Sequence, residues 1–167
     1  LGRIAKEVTG ELHVHDSSNG RVTPTNIAQD RDCDLVIIDY AGLMSTPLGD
    51  RAINDWRAMG MISNMLKEMA LSTGVSIVAA AQINREGESS GAFPPKVHQL
   101  AQSDALGQDA DVVITHKQMS KSVMVYSAEK NRHGVAGQRF YTRFQPNKGN
   151  FEEIDKETAE DIRDDEN

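Results

Sequence analysis

"DLVIIDYAGLM", residues 34–44, runs Leu35, Val36, Ile37 and Ile38 together and then sets Asp39 at the edge of the run. Consecutive apolar residues without polar alternation fit a strand covered on both faces, as in a mostly parallel sheet. A carboxylate closing such a strand is tolerated only where it reaches water, a metal ion or a hydrogen-bond donor. The stretch therefore predicts an α/β domain with chemistry at the carboxyl ends of its strands.

The chain around it has 167 residues, enough for one ordinary domain with a core that needs no disulfide or structural metal. It contains no run of 18 apolar residues, and its start, "LGRIAKEVTGEL", lacks the apolar centre and cleavage site of a signal peptide. A cytoplasmic protein without membrane contact is expected. Cys33 is the single cysteine, which excludes a disulfide framework, and beside the apolar strand it reads as a buried, inert thiol. The net charge of −7 lies wholly in residues 152–167, which hold nine acids and two bases. That run reads as a solvated, disordered acidic tail behind a folded core over residues 1–151. The core is electrically balanced, so binding of a polyanion must come from local placement of Lys and Arg.

Six runs have strand character: residues 11–16 (ELHVHD), 34–40 (DLVIIDY), 76–82 (SIVAAAQ), 111–116 (DVVITH), 122–130 (SVMVYSAEK) and 138–145 (QRFYTRFQ). The middle runs are apolar throughout, which suits the interior of a parallel sheet flanked by helices. Residues 51–73 read as a long helix, with Ile53, Trp56, Met59 or Gly60, Ile62, Met65, Leu66 and Met69 on one apolar stripe and Gly74 as its stop. The methionines of that stripe, like Trp56, are expected in a helix-on-sheet core. A shorter helix spans residues 24–32, with Thr23 as N-cap and Pro24 in the first helical position. The last two runs alternate more and are joined by a segment with two glycines, Gly134 and Gly137, so they read as an antiparallel hairpin added at one sheet edge. Residues 85–96 read as a loop, and residues 97–110 as a loop or short helix.

Ligands of open α/β sheets bind beyond the carboxyl ends of the strands, where Asp39 and Gln82 close the second and third runs. An apolar strand ending in Asp is the pattern that holds Mg²⁺, through water, beside a nucleotide's phosphates, although a strand ending on a solvated acid looks the same. Gln82 is a neutral donor and acceptor able to sense a terminal phosphate. Lys130 and Arg132, in "EKNRHG", would project to one side about 6 to 7 Å apart if the strand continues through them. Two cations on an added hairpin suit a site on a neighbouring subunit, and the alternative is a pair of solvated charges. His13, His15 and Asp16 have a chelating spacing, but no third ligand is identifiable from sequence.

"DLVIIDYAGLM", "LKEMALSTGVSIVAAAQINRE", "SDALGQDADVVI" and "EKNRHGVAGQRFYTRFQPNKGNFEEI" occur in the order and spacing of the C-terminal, RecA-like ATPase domain of DnaB-type replicative helicases. The resemblance spans about residues 1–154. It implies an ATP- and Mg²⁺-dependent DNA helicase that acts as a homo-oligomeric, hexameric ring moving 5′ to 3′ on single-stranded DNA, with primase and a helicase loader as partners, in a bacterial or phage-infected cell. It further implies that Asp39 is the Mg²⁺-linked acid, Gln82 the phosphate sensor, and Lys130 with Arg132 a pair acting in trans. Residues Ala101 to Asp104, Gln102 included, resemble the pore loop that follows the DNA backbone.

The chain also departs from the family pattern. No G-x-x-x-x-G-K-[ST] occurs, and the family's catalytic glutamate precedes the matching segment, so the 167 residues are expected to be the rear part of a helicase core and inactive in isolation. Where the family has Arg-Glu-Ser-Gly, this chain has Ala101, Gln102, Ser103 and Asp104, which removes one phosphate contact and sets an acid near a polyanion. Arg85 is the candidate substitute. Two further readings are a RecA-like interaction or regulatory module without a P-loop, and a RecA-like recombination or repair ATPase.

Overall fold

The computed structural model describes residues 10–16, 18, 20–29, 33–49, 56–82, 94 and 104–166. The opening stretch forms β1 (Leu35–Ile38), paired in parallel with β2 (Ser76–Ala79) in the register Leu35↔Ser76 to Ile38↔Ala79. Between them runs α2 (Trp56–Thr73), and α1 (Pro24–Gln29) precedes β1. Met59, Ile62, Leu66 and Met69 recur every three or four residues on α2 and pack with Ile38, Ala41 and Met44. Burying one such side chain contributes about 1.5–3 kcal/mol. The helix stops as the sequence predicts. Gly74 takes φ +75°, its N–H donates to the Ala70 carbonyl at 3.0 Å, and the Thr73 hydroxyl donates to that of Met69 at 2.7 Å.

Trp56 departs from the expected core position: it is 67% exposed, with the Arg57 guanidinium 5.2 Å from its ring centroid. Its phase on the helix is right, but 18 residues of α2 span about 27 Å and outrun the roughly 13 Å of four-residue strands beneath. Among the described residues, no strand therefore reaches Trp56 at the very start of the helix, although Ala58 and Met59 in the same turn are buried. The expectation of strands covered on both faces is also corrected. Val36 and Ile38 face α2, whereas Ile37 is 71% and Val78 57% exposed, because alternate residues point to opposite faces and the described helices cover one.

A second sheet holds β3 (Val112–Gln118), β4 (Val123–Asn131), β5 (Arg139–Gln145) and β6 (Asn150–Ile154), antiparallel in sequence order. The fourth predicted run thus opens an antiparallel meander and does not extend the parallel pair among the described residues. Only residues 119–122 separate β3 from β4, far too few for the crossover that a parallel pairing requires. The predicted hairpin is present as β4–β5, with Gly137 at φ +83° donating its N–H to the Ala128 carbonyl at 2.7 Å. Val113, Val123 and Val125 are buried on one face, and on the other Tyr126 stacks on Phe140 at 4.7 Å.

The acidic tail is structured, which corrects the expectation of disorder. Its first residues belong to β6, where Phe151 pairs with Phe144 of β5, and the rest form α4 (Lys156–Glu166). Asp155 caps that helix by accepting the Thr158 N–H at 2.8 Å and its hydroxyl at 2.9 Å, while Ala159 is fully buried. Residues 11–16 form no strand: Leu12 and Val14 are 89% and 79% exposed. Among the described residues, no helix is long and apolar enough to cross a membrane.

Candidate functional site

Asp39 directly follows β1, and Gln82 comes three residues after the end of β2. Because the two strands are parallel neighbours, both residues leave the sheet at the same end. Backbone hydrogen bonds carry the pairing past the strands: the Ala80 N–H donates to the Ile38 carbonyl at 2.9 Å and the Ala41 N–H to that of Ala80 at 3.0 Å. The Asp39–Tyr40 peptide is cis, and a 3₁₀ turn over Ala41–Leu43 then brings Ala41 and Met44 back into the core. Asp39 is exposed, and no side-chain bond to its carboxylate is present among the described residues. An open carboxylate at a strand tip fits a hydrated divalent cation, with the metal held through water. Asp39 and Gln82 are the residues of this set that could face it.

Lys130 and Arg132 converge elsewhere, on the short helix α3 (Asp104–Asp109) and the start of β3. The strand carrying them ends at Asn131, so the expected strand geometry stops short of Arg132. The β3–β4 register also shifts between Val113 and Ile114: Val113 pairs with Lys130 but Ile114 with Ala128. The extra residue, Glu129, is a bulge that turns Lys130 to the face of Val113. Lys130 Nζ donates to the Gly107 and Gln108 carbonyls at 2.9 and 2.7 Å, satisfying acceptors that the end of α3 leaves free. Arg132 Nη1 lies 3.1 Å from Asp111 Oδ1, and its backbone N–H donates to the Asp111 carbonyl at 2.8 Å. The two cations thus meet one junction through contacts more than 20 residues apart in sequence instead of through strand alternation.

Asp111 is the residue that sequence reading missed. Lys67 of α2 donates to both its carboxylate oxygens, at 2.8 and 2.7 Å. The Lys67 hydrogen bond is the main cause that holds the Asp111 carboxyl below the ordinary value; burial opposes it, and the charges of Lys67, Arg132 and His133 each lower it by less. Two residues earlier, Asp109 accepts the Ser63 hydroxyl of α2 at 2.6 Å. Two acids at the end of α3, each meeting α2 across more than 40 residues of sequence, leave no local signal beyond the spacing of "QDAD".

Asp104 is the exposed first residue of α3. Arg85, Ala101, Gln102 and Ser103 lie outside the described residues. His13 contacts Glu11 at 3.4 Å, and among the described residues no group of three His, Cys, Asp or Glu could hold a metal ion. Cys33 is half-buried, in a small cavity with Ile27, Val36 and Met69.

The family model described as DnaB-like helicase C terminal domain matches residues 10–153. A probable plasmid replicative DNA helicase of Chlamydia muridarum is 30% identical over 134 residues, covering 78% of this chain and 28% of that protein. A replicative DNA helicase DnaB of Mycobacterium intracellulare is 32% identical over 120 residues, covering 68% of this chain and 20% of that protein. This chain thus spans under a third of these relatives. Among solved structures, an ATPase domain superimposes with a TM-score of 0.68 at 25% identity, covering 80% of this chain and 52% of that one. A DnaB-like replicative helicase studied with primase has the same TM-score at 24% identity, covering 80% of this chain and 35% of its own.

Proposed function

Because the chain belongs to the DnaB-like helicase C-terminal domain family, we propose that it serves as the rear part of an ATP-driven replicative motor, a homo-hexameric ring that moves 5′ to 3′ along single-stranded DNA and unwinds duplex ahead of it. The observation that carries the reading is the division of the candidate residues between two places. Asp39 and Gln82 leave the parallel pair at one end, and Lys130 with Arg132 gather at the junction of α3 and β3. A site shared between subunits needs such a division, with one set facing its own nucleotide and the other facing a neighbour's.

ATP and Mg²⁺, when bound, supply the transferable phosphoryl group and its charge-neutralising cation. Asp39 would hold the hydrated metal, and Gln82 would hydrogen-bond the terminal phosphate. Lys130 and Arg132 offset the charge that develops on a neighbouring subunit's phosphate. No phosphate cradle of the G-x-x-x-x-G-K-[ST] pattern occurs in these 167 residues. Arg85, Ala101, Gln102 and Asp104 are the proposed DNA-facing residues, with backbone N–H groups replacing the missing pore-loop arginine. Primase and a loader are the proposed partners, and the cytoplasm the proposed location.

In the complete protein, Arg132→Ala lowers ATP turnover by about 10³-fold and leaves nucleotide affinity within twofold. Unchanged turnover would exclude the trans assignment. A protein that binds nucleotide and never hydrolyses it would favour the regulatory module.

A further inference from the structure

The geometry points to Asp111 as a positioning residue for Arg132, an inference that rests on the proposed role of Arg132 in trans. Arg132 is the more distal of the two cations, beyond the end of β4 and nearly half exposed, so its strand alone does not fix its direction. Asp111 fixes it twice, by the contact of Oδ1 with Nη1 at 3.1 Å and by accepting the backbone N–H at 2.8 Å. The carboxylate approaches the planar guanidinium closest at Nη1, and a guanidinium carries five N–H donors, enough to meet both this carboxylate and an incoming phosphate oxygen.

Asp111 is itself held from behind. Lys67, a partly buried side chain of α2, donates to both carboxylate oxygens, which holds the orientation of the acid from the side of α2. Helix α3 ends at Asp109, two residues before Asp111, and its Gly107 and Gln108 carbonyls hold Lys130. The α3–β3 junction thus sets both cations, while the Ser63–Asp109 bond ties the same junction to α2 at 2.6 Å. An arginine so oriented loses less side-chain entropy when it meets its phosphate, which raises the rate of the chemical step more than the affinity for nucleotide.

A double-mutant cycle in the complete protein tests this, with steady-state ATP hydrolysis and thermal unfolding both recorded. Asp111→Asn lowers kcat about tenfold with KM for ATP within twofold, Asp111→Glu restores at least half of the loss, and Asp111→Asn adds nothing to Arg132→Ala. If the carboxylate merely supports the fold, Asp111→Asn lowers the melting temperature and reduces kcat further in the Arg132→Ala background. That result, or an Asp111→Asn variant with normal kcat, overturns the inference and leaves the role of Arg132 standing. If Arg132→Ala by itself keeps normal turnover, the trans reading falls and takes the role of Asp111 with it.

Discussion

Glu166 closes α4 onto Ser122 across 44 residues of sequence: the Ser122 hydroxyl donates to one carboxylate oxygen at 2.6 Å and its backbone N–H to the other at 3.1 Å. The contact joins the last turn of the acidic helix to the connection between β3 and β4. It turns a terminal run that is repulsive by charge into a packed element.

A pH dependence follows. The Ser122 hydroxyl is the main cause that holds the Glu166 carboxyl below its ordinary 4.5. A carboxyl depressed in the folded state stabilises fully above its unfolded value and loses that contribution as pH falls through the folded value. Attachment of α4 is therefore complete at pH 7 and weakens below about pH 4.5. In Glu166→Gln the Ser122 amide exchanges faster at pH 7 and loses most of this acid sensitivity. Parallel acid responses in the variant and the parent would refute the assignment.

The core under α2 should respond to truncation. Ile62 is fully buried among Met59, Leu66, Met69 and Ile38. Ile62→Ala removes three carbons from a packed site and destabilises by about 2–5 kcal/mol in urea unfolding. Met61→Ala, one residue away on the exposed face, changes stability by less than about 0.5 kcal/mol.

The start of α1 is held by a reciprocal pair. Thr23 Oγ1 accepts the Asn26 N–H at 3.2 Å, and Asn26 Oδ1 accepts the Thr23 N–H at 3.1 Å. Thr23→Ala costs about 1 kcal/mol, and Thr23→Ser restores nearly all of it. Equal unfolding midpoints for Ala and Ser would show that the cap contributes nothing.

Asp39 separates function from stability. Its exposed carboxylate bears on no buried contact, so Asp39→Asn leaves the unfolding midpoint of the complete protein unchanged. The same substitution lowers Mg²⁺-dependent ATP hydrolysis by roughly 100-fold or more. A variant with normal hydrolysis would remove Asp39 from the metal site.

What was legible in advance depended on distance along the chain. The stripe of α2, its stop at Gly74 and the Thr23–Pro24 start of α1 rest on residues within one or two helical turns, where period and cap chemistry act directly. The hairpin of β4 and β5 was legible for the same reason. The acidic tail was not: its composition argues for solvation, while Asp155, Ala159 and Phe151 order it through a cap and through contacts made only after the sheet exists. Residues 11–16 fail in the opposite sense, since strand-like alternation gains nothing without a partner strand.

For the candidate site, the sequence by itself determined the residue types and their order along the chain, whereas the strand ends fell elsewhere: Asp39 directly follows β1, Gln82 lies three residues beyond β2 and Arg132 just past the end of β4. Tertiary structure decided their company. Nothing local links Lys130 to the Gly107 carbonyl 23 residues earlier, or Lys67 to Asp111 44 residues later. Those contacts exist because α2 and α3 pack together, Asp111 lies two residues past the end of α3, and the β4 bulge turns Lys130. A charge in the unfolded chain is satisfied by water wherever it lies. Only packing selects which opposite charge or carbonyl replaces that water, and so which way Arg132 faces.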